Sequence, residues 1–151
     1  MIKMLFLSSS LLLISCASAP VEDRGVYAQP EASENTSVFI GEESARGILK
    51  GHEKIFVCQV DGQRVLNAGV DLPLYVSSGA HTISICYEEG LNRGIAEITA
   101  DIPSGKEHQI RLGEHSWTEV NLWIEQAGSE EPFSELITVP KTQSIAPLIS
   151  F

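Results

Sequence analysis

From Val38 onward the apolar residues fall in segments of roughly four to eight, separated by turn chemistry at intervals of about 8–12 residues, too short and too regular for helices. The segments are Lys54–Val60, Leu72–Val76, His81–Tyr87, Gly94–Ile102, His108–Leu112, Trp117–Glu125 and Glu135–Val139. Between them stand Asp61-Gly62, Ser78-Gly79, Glu89-Gly90, Pro103-Ser104-Gly105, Gly113 and Ala127-Gly128. Such spacing predicts an all-β domain, an antiparallel β-sandwich of about seven strands over residues 38–140. The C-terminal tail, 141–151, carries Pro147 and ends Leu148-Ile149-Ser150-Phe151, so it either frays, adds a strand to an edge or docks on a partner.

Alternation supports strands. Ile83, Ile85 and Tyr87 share one face, with Thr82, Ser84 and Glu88 on the other. Asp61-Gly62 predicts a two-residue hairpin, because a type I′ turn needs positive φ at both central positions. Glu42–Lys50 offers Ala45, Ile48 and Leu49 at helical spacing, but Gly41, Gly47 and Gly51 weaken a helix, and the stretch reads as a strand with loops. In Trp117–Ile124 a period of two puts Val120, Leu122 and Ile124 on one side and Trp117, Glu119, Asn121 and Trp123 on the other. If the aliphatic side is core, the two tryptophans stand about 20 Å apart on the outer face with Glu119 and Asn121, a candidate ligand or partner patch. The competing reading is a bulge that shifts the register, or a Trp123 packed in the core.

The 151 residues carry 10 Lys plus Arg against 20 Asp plus Glu, a formal charge of −10. That field repels polyanions, and no nucleic-acid partner is expected. No run of about 20 apolar residues exists to span a bilayer as a helix. The chain opens Met1-Ile2-Lys3-Met4, one positive charge and no acid, followed by the apolar Leu5–Ile14, the n-region and h-region of a secretory signal. Leu13-Ile14-Ser15-Cys16 resembles the bacterial lipoprotein box. That resemblance implies a signal peptide over 1–15, cleavage after Ser15 and a Cys16 whose thiol carries diacylglycerol. Two or three chains at ~0.8 kcal/mol per buried methylene make a lasting anchor. Conventional cleavage after Ala17-Ser18-Ala19 is the alternative. Ala17, where Asp resembles an inner-membrane retention signal, points to the outer membrane, with the domain facing the periplasm. Residues 16–37, with Pro20, Pro30 and scattered acids, read as the acylated cysteine and a flexible tether. With Cys16 acylated, Cys58 and Cys86 are left as an even pair in an oxidising compartment, either disulfide-bonded or two buried thiols.

A family resemblance follows from Val60-Asp61-Gly62-Gln63-Arg64-Val65, Leu74–Ile85 with its Gly79-Ala80-His81-Thr82-Ile83-Ser84-Ile85, Ser104–Leu112, and Leu122-Trp123-Ile124-Glu125. Over residues 54–126 this succession resembles small proteobacterial lipoproteins with a PEGA-like β-sandwich, an Ig/transthyretin-like architecture, with His108 standing where Tyr is usual. The resemblance implies an accessory envelope protein and supplies no active-site residues.

Local motifs for chemistry are absent. His52, His81, His108 and His115 lack the spacing of H-E-x-x-H, and His81 reads as a strand opener whose ring donates to a turn carbonyl. Ser77-Ser78-Gly79 lacks the first glycine of a nucleophile elbow, although triads assemble from distant residues that no local motif reveals. Glu42-Glu43, Glu88-Glu89 and Glu130-Glu131 are sequence neighbours, which point apart in a strand. The expectation is a non-enzymatic membrane-anchored periplasmic lipoprotein, without metal or cofactor, bound to the membrane by its lipid and to an envelope protein partner. The alternative is a glycan- or divalent-cation-binding envelope domain.

Overall fold

The computed structural model describes residues 25–45, 52–66, 69–129 and 132–143. The signal peptide, Cys16, residues 17–24 of the tether, Glu130-Glu131 and the tail beyond Gln143 lie outside the described residues. The described chain is all-β, with no helix among those residues. Its strands are β1 (Thr36–Ile40), β2 (Glu42–Ala45), β3 (His52–Val60), β4 (Gln63–Arg64), β5 (Leu74–Ser77), β6 (Gly79–Glu89), β7 (Asn92–Ile102), β8 (Glu107–His115), β9 (Glu119–Gln126), β10 (Ile137–Pro140) and β11 (Thr142–Gln143). All seven expected segments are strands. The four further strands, β1, β2, β4 and β11, are short pieces of two to five residues.

Two sheets form, one in the order β10-β9-β8-β1-β5, the other β11-β7-β6-β3-β2 with β4 on β3. The alternating residues pack between them: Ile55, Val57, Val60, Ile83, Ile85, Tyr87 and Ile102 from the second sheet meet Phe39, Leu74, Val76, Ile110, Val120, Leu122 and Ile124 from the first. Each fully buried aliphatic side chain contributes about 1.5–3 kcal/mol relative to exposure, so this layer dominates the folding energy. Among the described strands pairing is antiparallel except between β1 and β8, which run parallel.

Asp61 and Gly62 sit at φ of 52° and 75°, so the two-residue hairpin between β3 and β4 has the left-handed turn that its sequence predicts. At Gly41 the chain passes from β1 in one sheet to β2 in the other, and a Cβ there would stand 2.4 Å from the Ile55 carbonyl oxygen. Backbone cannot yield that far, so only glycine fits the crossing.

The distal part of the expected tether, residues 25–37, is hydrogen-bonded to the domain. Val26 bridges Arg64 in parallel, the Tyr27 N–H donates to the Arg64 carbonyl at 2.9 Å, the Tyr27 hydroxyl donates to the Tyr75 carbonyl at 3.3 Å, and β1 begins at Thr36. Tyr27 packs against the core cluster, which gives this polar stretch enough apolar surface to hold it. At the other end Thr142 and Gln143 pair with Arg93 and Asn92, so the start of the tail does add a strand to an edge.

Cys58 and Cys86 form a disulfide, with Cα atoms 5.7 Å apart. Cys58 occupies the bulge between Val57 and Gln59 in β3, while Cys86 pairs with Phe56, so the bond links adjacent strands on the face away from the core. The chain between them leaves for the other sheet through β5 and returns in β6. The bond therefore closes an excursion between layers, worth roughly 3.5 kcal/mol on the chain-entropy account.

Candidate binding groove

β9 carries the candidate site because its alternation is strict. Val120, Leu122 and Ile124 are buried, which turns Asn121, Trp123 and Glu125 to the outer face. Across the ladder Arg111 of β8 is opposite Trp123, and Gln109 is opposite Glu125. The Arg111 Nε donates to Glu125 Oε2 at 2.9 Å, and the Trp123 indole N–H donates to Glu125 Oε1 at 3.1 Å. One carboxylate thus holds a cation and an aromatic ring side by side. These donors, Arg111 first, keep the Glu125 carboxyl below its ordinary range. A Cβ on Gly113 would stand 2.9 Å from the Trp123 ring, so the glycine leaves the space in which the indole lies against the sheet.

A wall makes this face concave. The turn Gln126–Ser129 and the segment 132–136 rise beside it, enclosing an open groove of about 750 Å³ lined by Glu107, Gln109, Arg111, Trp123, Glu125 and Leu136 among others. Phe133 anchors the wall: its N–H donates to the Ile124 carbonyl at 2.8 Å, and the Ser134 hydroxyl accepts from the Ile124 N–H at 2.9 Å. Its ring lies tilted, 4.5 Å from the imidazole of His108, which stacks on Phe39 at 4.7 Å. His108 is 0% exposed, neither ring nitrogen has a hydrogen-bond partner, and burial lowers its pKa from 6.5 to about 4. The imidazole is neutral at pH 7 and behaves as a third aromatic ring in the stack.

The four residues of the expected patch separate. Trp123 is in the groove, its ring beside Asn121, whose amide oxygen accepts from the Thr138 hydroxyl. Trp117 is not on β9 at all: it sits in the turn from β8 to β9, 95% exposed, where the Ser116 hydroxyl accepts from the N–H groups of Thr118 and Glu119. That Ser-turn ends the alternation two residues too early for Trp117 to share the strand's outer face, and Glu119 stands exposed at the strand's first position. Sequence reasoning missed Arg111, Gln109, Glu125 and the wall. Arg111 was visible as a charge in β8, but its place opposite Trp123 depends on the irregularity between Leu112 and His115, which no local pattern reports.

The other polar candidates are accounted for one by one. The His52 ring is 2.9 Å from Glu43, which also lies near Lys54. Glu42 accepts from the Leu112 N–H, Glu88 pairs with Arg93, and Glu89 with Lys141. His81 meets the Asp61 carboxylate and the Ser77 hydroxyl in place of the expected turn carbonyl. Among the described residues no three His, Cys, Asp or Glu side chains gather in an arrangement that could hold a metal ion. Compared with protein-family models, curated proteins and solved structures, the chain has no significant match.

Proposed function

We propose that this chain is a membrane-anchored lipoprotein of the bacterial outer membrane, facing the periplasm, that holds an envelope component in the Trp123 groove. The anchor rests on Leu13-Ile14-Ser15-Cys16 after an apolar signal, and the accessory role on the likeness of residues 54–126 to PEGA-like lipoproteins. The observation that carries the binding reading is the outward indole of Trp123, held against Arg111 by their shared carboxylate, Glu125.

That chemistry favours a glycan over a divalent cation. An indole face supplies a stacking platform for the C–H face of a sugar ring. Glu107, Gln126 and the Gln109 amide oxygen line the groove as partners for hydroxyls, the Gln109 amide nitrogen donating to the Gly41 carbonyl at 2.8 Å. With Glu107, Glu125 and Glu135 beside Arg111, and a chain charge of −10, the groove is net acidic, and its indole and amides fit a ligand rich in hydroxyls and without negative charge. A polyanion is repelled.

The test is retention of the full chain on an immobilised neutral polysaccharide. Trp123→Ala should lose at least tenfold in affinity, the scale of an aromatic contact plus its buried area. Trp117→Ala should bind as the parent does. Equal retention of Trp123→Ala and parent, or none of either, overturns the reading. Cys16→Ser should leave the protein uncut and free of lipid, read by mass analysis of membrane fractions.

A further inference from the structure

At one corner of the sandwich the chain leaves β5 at Ser77 and enters β6 at Gly79, with a single residue between the two sheets. Gly79, at φ 121°, takes a conformation that side-chain-bearing residues rarely adopt, which lets the corner be this tight. The consequence is that Ser77 and His81, four apart, face one another: Ser77 Oγ lies 3.2 Å from His81 Nε2. The β3–β4 hairpin packs against the same place. Its Asp61 donates its N–H to the Thr82 carbonyl at 2.8 Å, accepts the Thr82 N–H on Oδ1 at 2.9 Å, and presents Oδ2 to His81 Nδ1 at 2.7 Å.

We infer that Ser77, His81 and Asp61 form a serine-nucleophile site acting on small, solvent-exposed carboxylic esters. Three observations support it. Asp61 is tied to the β6 backbone twice, its own N–H donating to the Thr82 carbonyl and its carboxylate accepting the Thr82 N–H, so the carboxylate selects the tautomer with the proton on Nδ1 and leaves Nε2 to accept the Ser77 proton. The imidazole is largely shielded, its side chain 15% exposed, whereas Ser77 stands at the surface. And Ser77 lies outside the Trp123 groove and open to solvent, the access that a small, solvent-exposed ester needs.

In the step, Ser77 Oγ attacks the ester carbonyl carbon, its proton passes to His81 Nε2, the acyl–oxygen bond breaks, and the same proton leaves on the departing alkoxide. Water then adds to the acyl-serine carbonyl, giving its proton through Nε2 back to Oγ as the carboxylic acid departs. The backbone donor that follows the nucleophile is occupied, since the Ser78 N–H donates to the Asn35 carbonyl at 3.0 Å. A missing oxyanion donor lowers turnover on the order of 100-fold or more, so covalent capture is the clearer readout.

The full chain is treated with an alkyl fluorophosphonate, in which the Oγ–P bond forms, the P–F bond breaks and the proton leaves through Nε2, and the adduct is located by peptide mass spectrometry. Ser77 should be labelled, and Ser77→Ala, which removes one surface hydroxyl, should fold and lose that adduct. His81→Ala should be labelled on the order of 100-fold more slowly, the usual worth of a positioned base, and added imidazole should restore the rate. Asp61→Asn keeps a residue that tolerates the left-handed turn and an oxygen for Thr82, so it isolates the positioning role: labelling slows while the thermal midpoint holds. No adduct on Ser77 in the folded parent, or equal labelling of His81→Ala and parent without rescue, overturns the inference. Neither outcome bears on the groove, whose lining contains none of these residues.

Discussion

Among the described residues two titratable centres reach the inside of this sandwich, and they are built on opposite plans. His108 lies between Phe39 and Phe133 with no partner for either nitrogen. At the other centre the Tyr87 hydroxyl lies 3.1 Å from Glu53 and 3.0 Å from Glu89, and Glu89 also accepts from Lys141 Nζ at 3.0 Å and from Asn92. The ammonium of Lys141, whose side chain is 4% exposed, stands 5.1 Å from the centre of the Tyr87 ring. The first centre survives burial by staying neutral, the second by pairing charge. The lesson is functional as well as energetic: the neutral ring holds the wall of the groove, while the ionic cluster holds the crossover from β10 to β11.

Removing one partner from the ionic centre should have the largest effect. Lys141→Met leaves the half-buried Glu89 without its cation, and urea unfolding should show a loss of about 3 kcal/mol, the lower end for a buried pair. A loss below 1 kcal/mol means that the pair is solvated.

The two centres should also answer differently to pH, the first in acid alone and the second in both acid and alkali. The His108 pKa falls from 6.5 to about 4 on folding because burial disfavours the cation. Its contribution is therefore complete above pH 6.5 and is lost as pH falls from there to about 4, a change of about 3 kcal/mol. His108→Leu should remove that slope from unfolding curves measured between pH 7 and 4. Glu89 also loses its share in acid. Burial raises its pKa, but the Lys141, Tyr87 and Asn92 donors outweigh that and leave it lowered, so its share is present above its ordinary 4.5 and lost below it.

At high pH the ionic centre is the sensitive one. Burial, then the charge of Glu53, raises the Tyr87 hydroxyl well above its ordinary 10. The unfolded chain ionises first, so stability should decline as pH climbs past 10. Tyr87→Phe should shrink that decline to the share left by Tyr27, whose hydroxyl burial also raises, and, at neutral pH, lose about 1–3 kcal/mol by leaving buried acceptors short of a donor. A Tyr87→Phe variant with the parent's alkaline slope would show that the slope arises elsewhere.

Much of this architecture was legible in the chain. The seven main strands, the Asp61-Gly62 hairpin, the pairing of Cys58 with Cys86 and the core face of β9 all follow from period, turn chemistry and cysteine parity. What was not legible depends on contacts distant in sequence. The parallel pairing of β1 with β8 and the docking of Tyr27 on Tyr75 leave no periodic trace. Trp117 was misplaced because the Ser116 turn interrupts an alternation that looks unbroken in sequence. Arg111 and Glu125 look like ordinary surface charges until the β8–β9 register sets them beside the indole. The meeting of Ser77, His81 and Asp61 likewise requires two corners to coincide.

The groove reading is met most directly by the fluorescence of Trp123 in a Trp117→Phe background, titrated with a neutral oligosaccharide. A saturable change in emission, abolished by Arg111→Ala together with Gln109→Ala, is the predicted result. Emission that stays constant to millimolar sugar in the folded protein would contradict it.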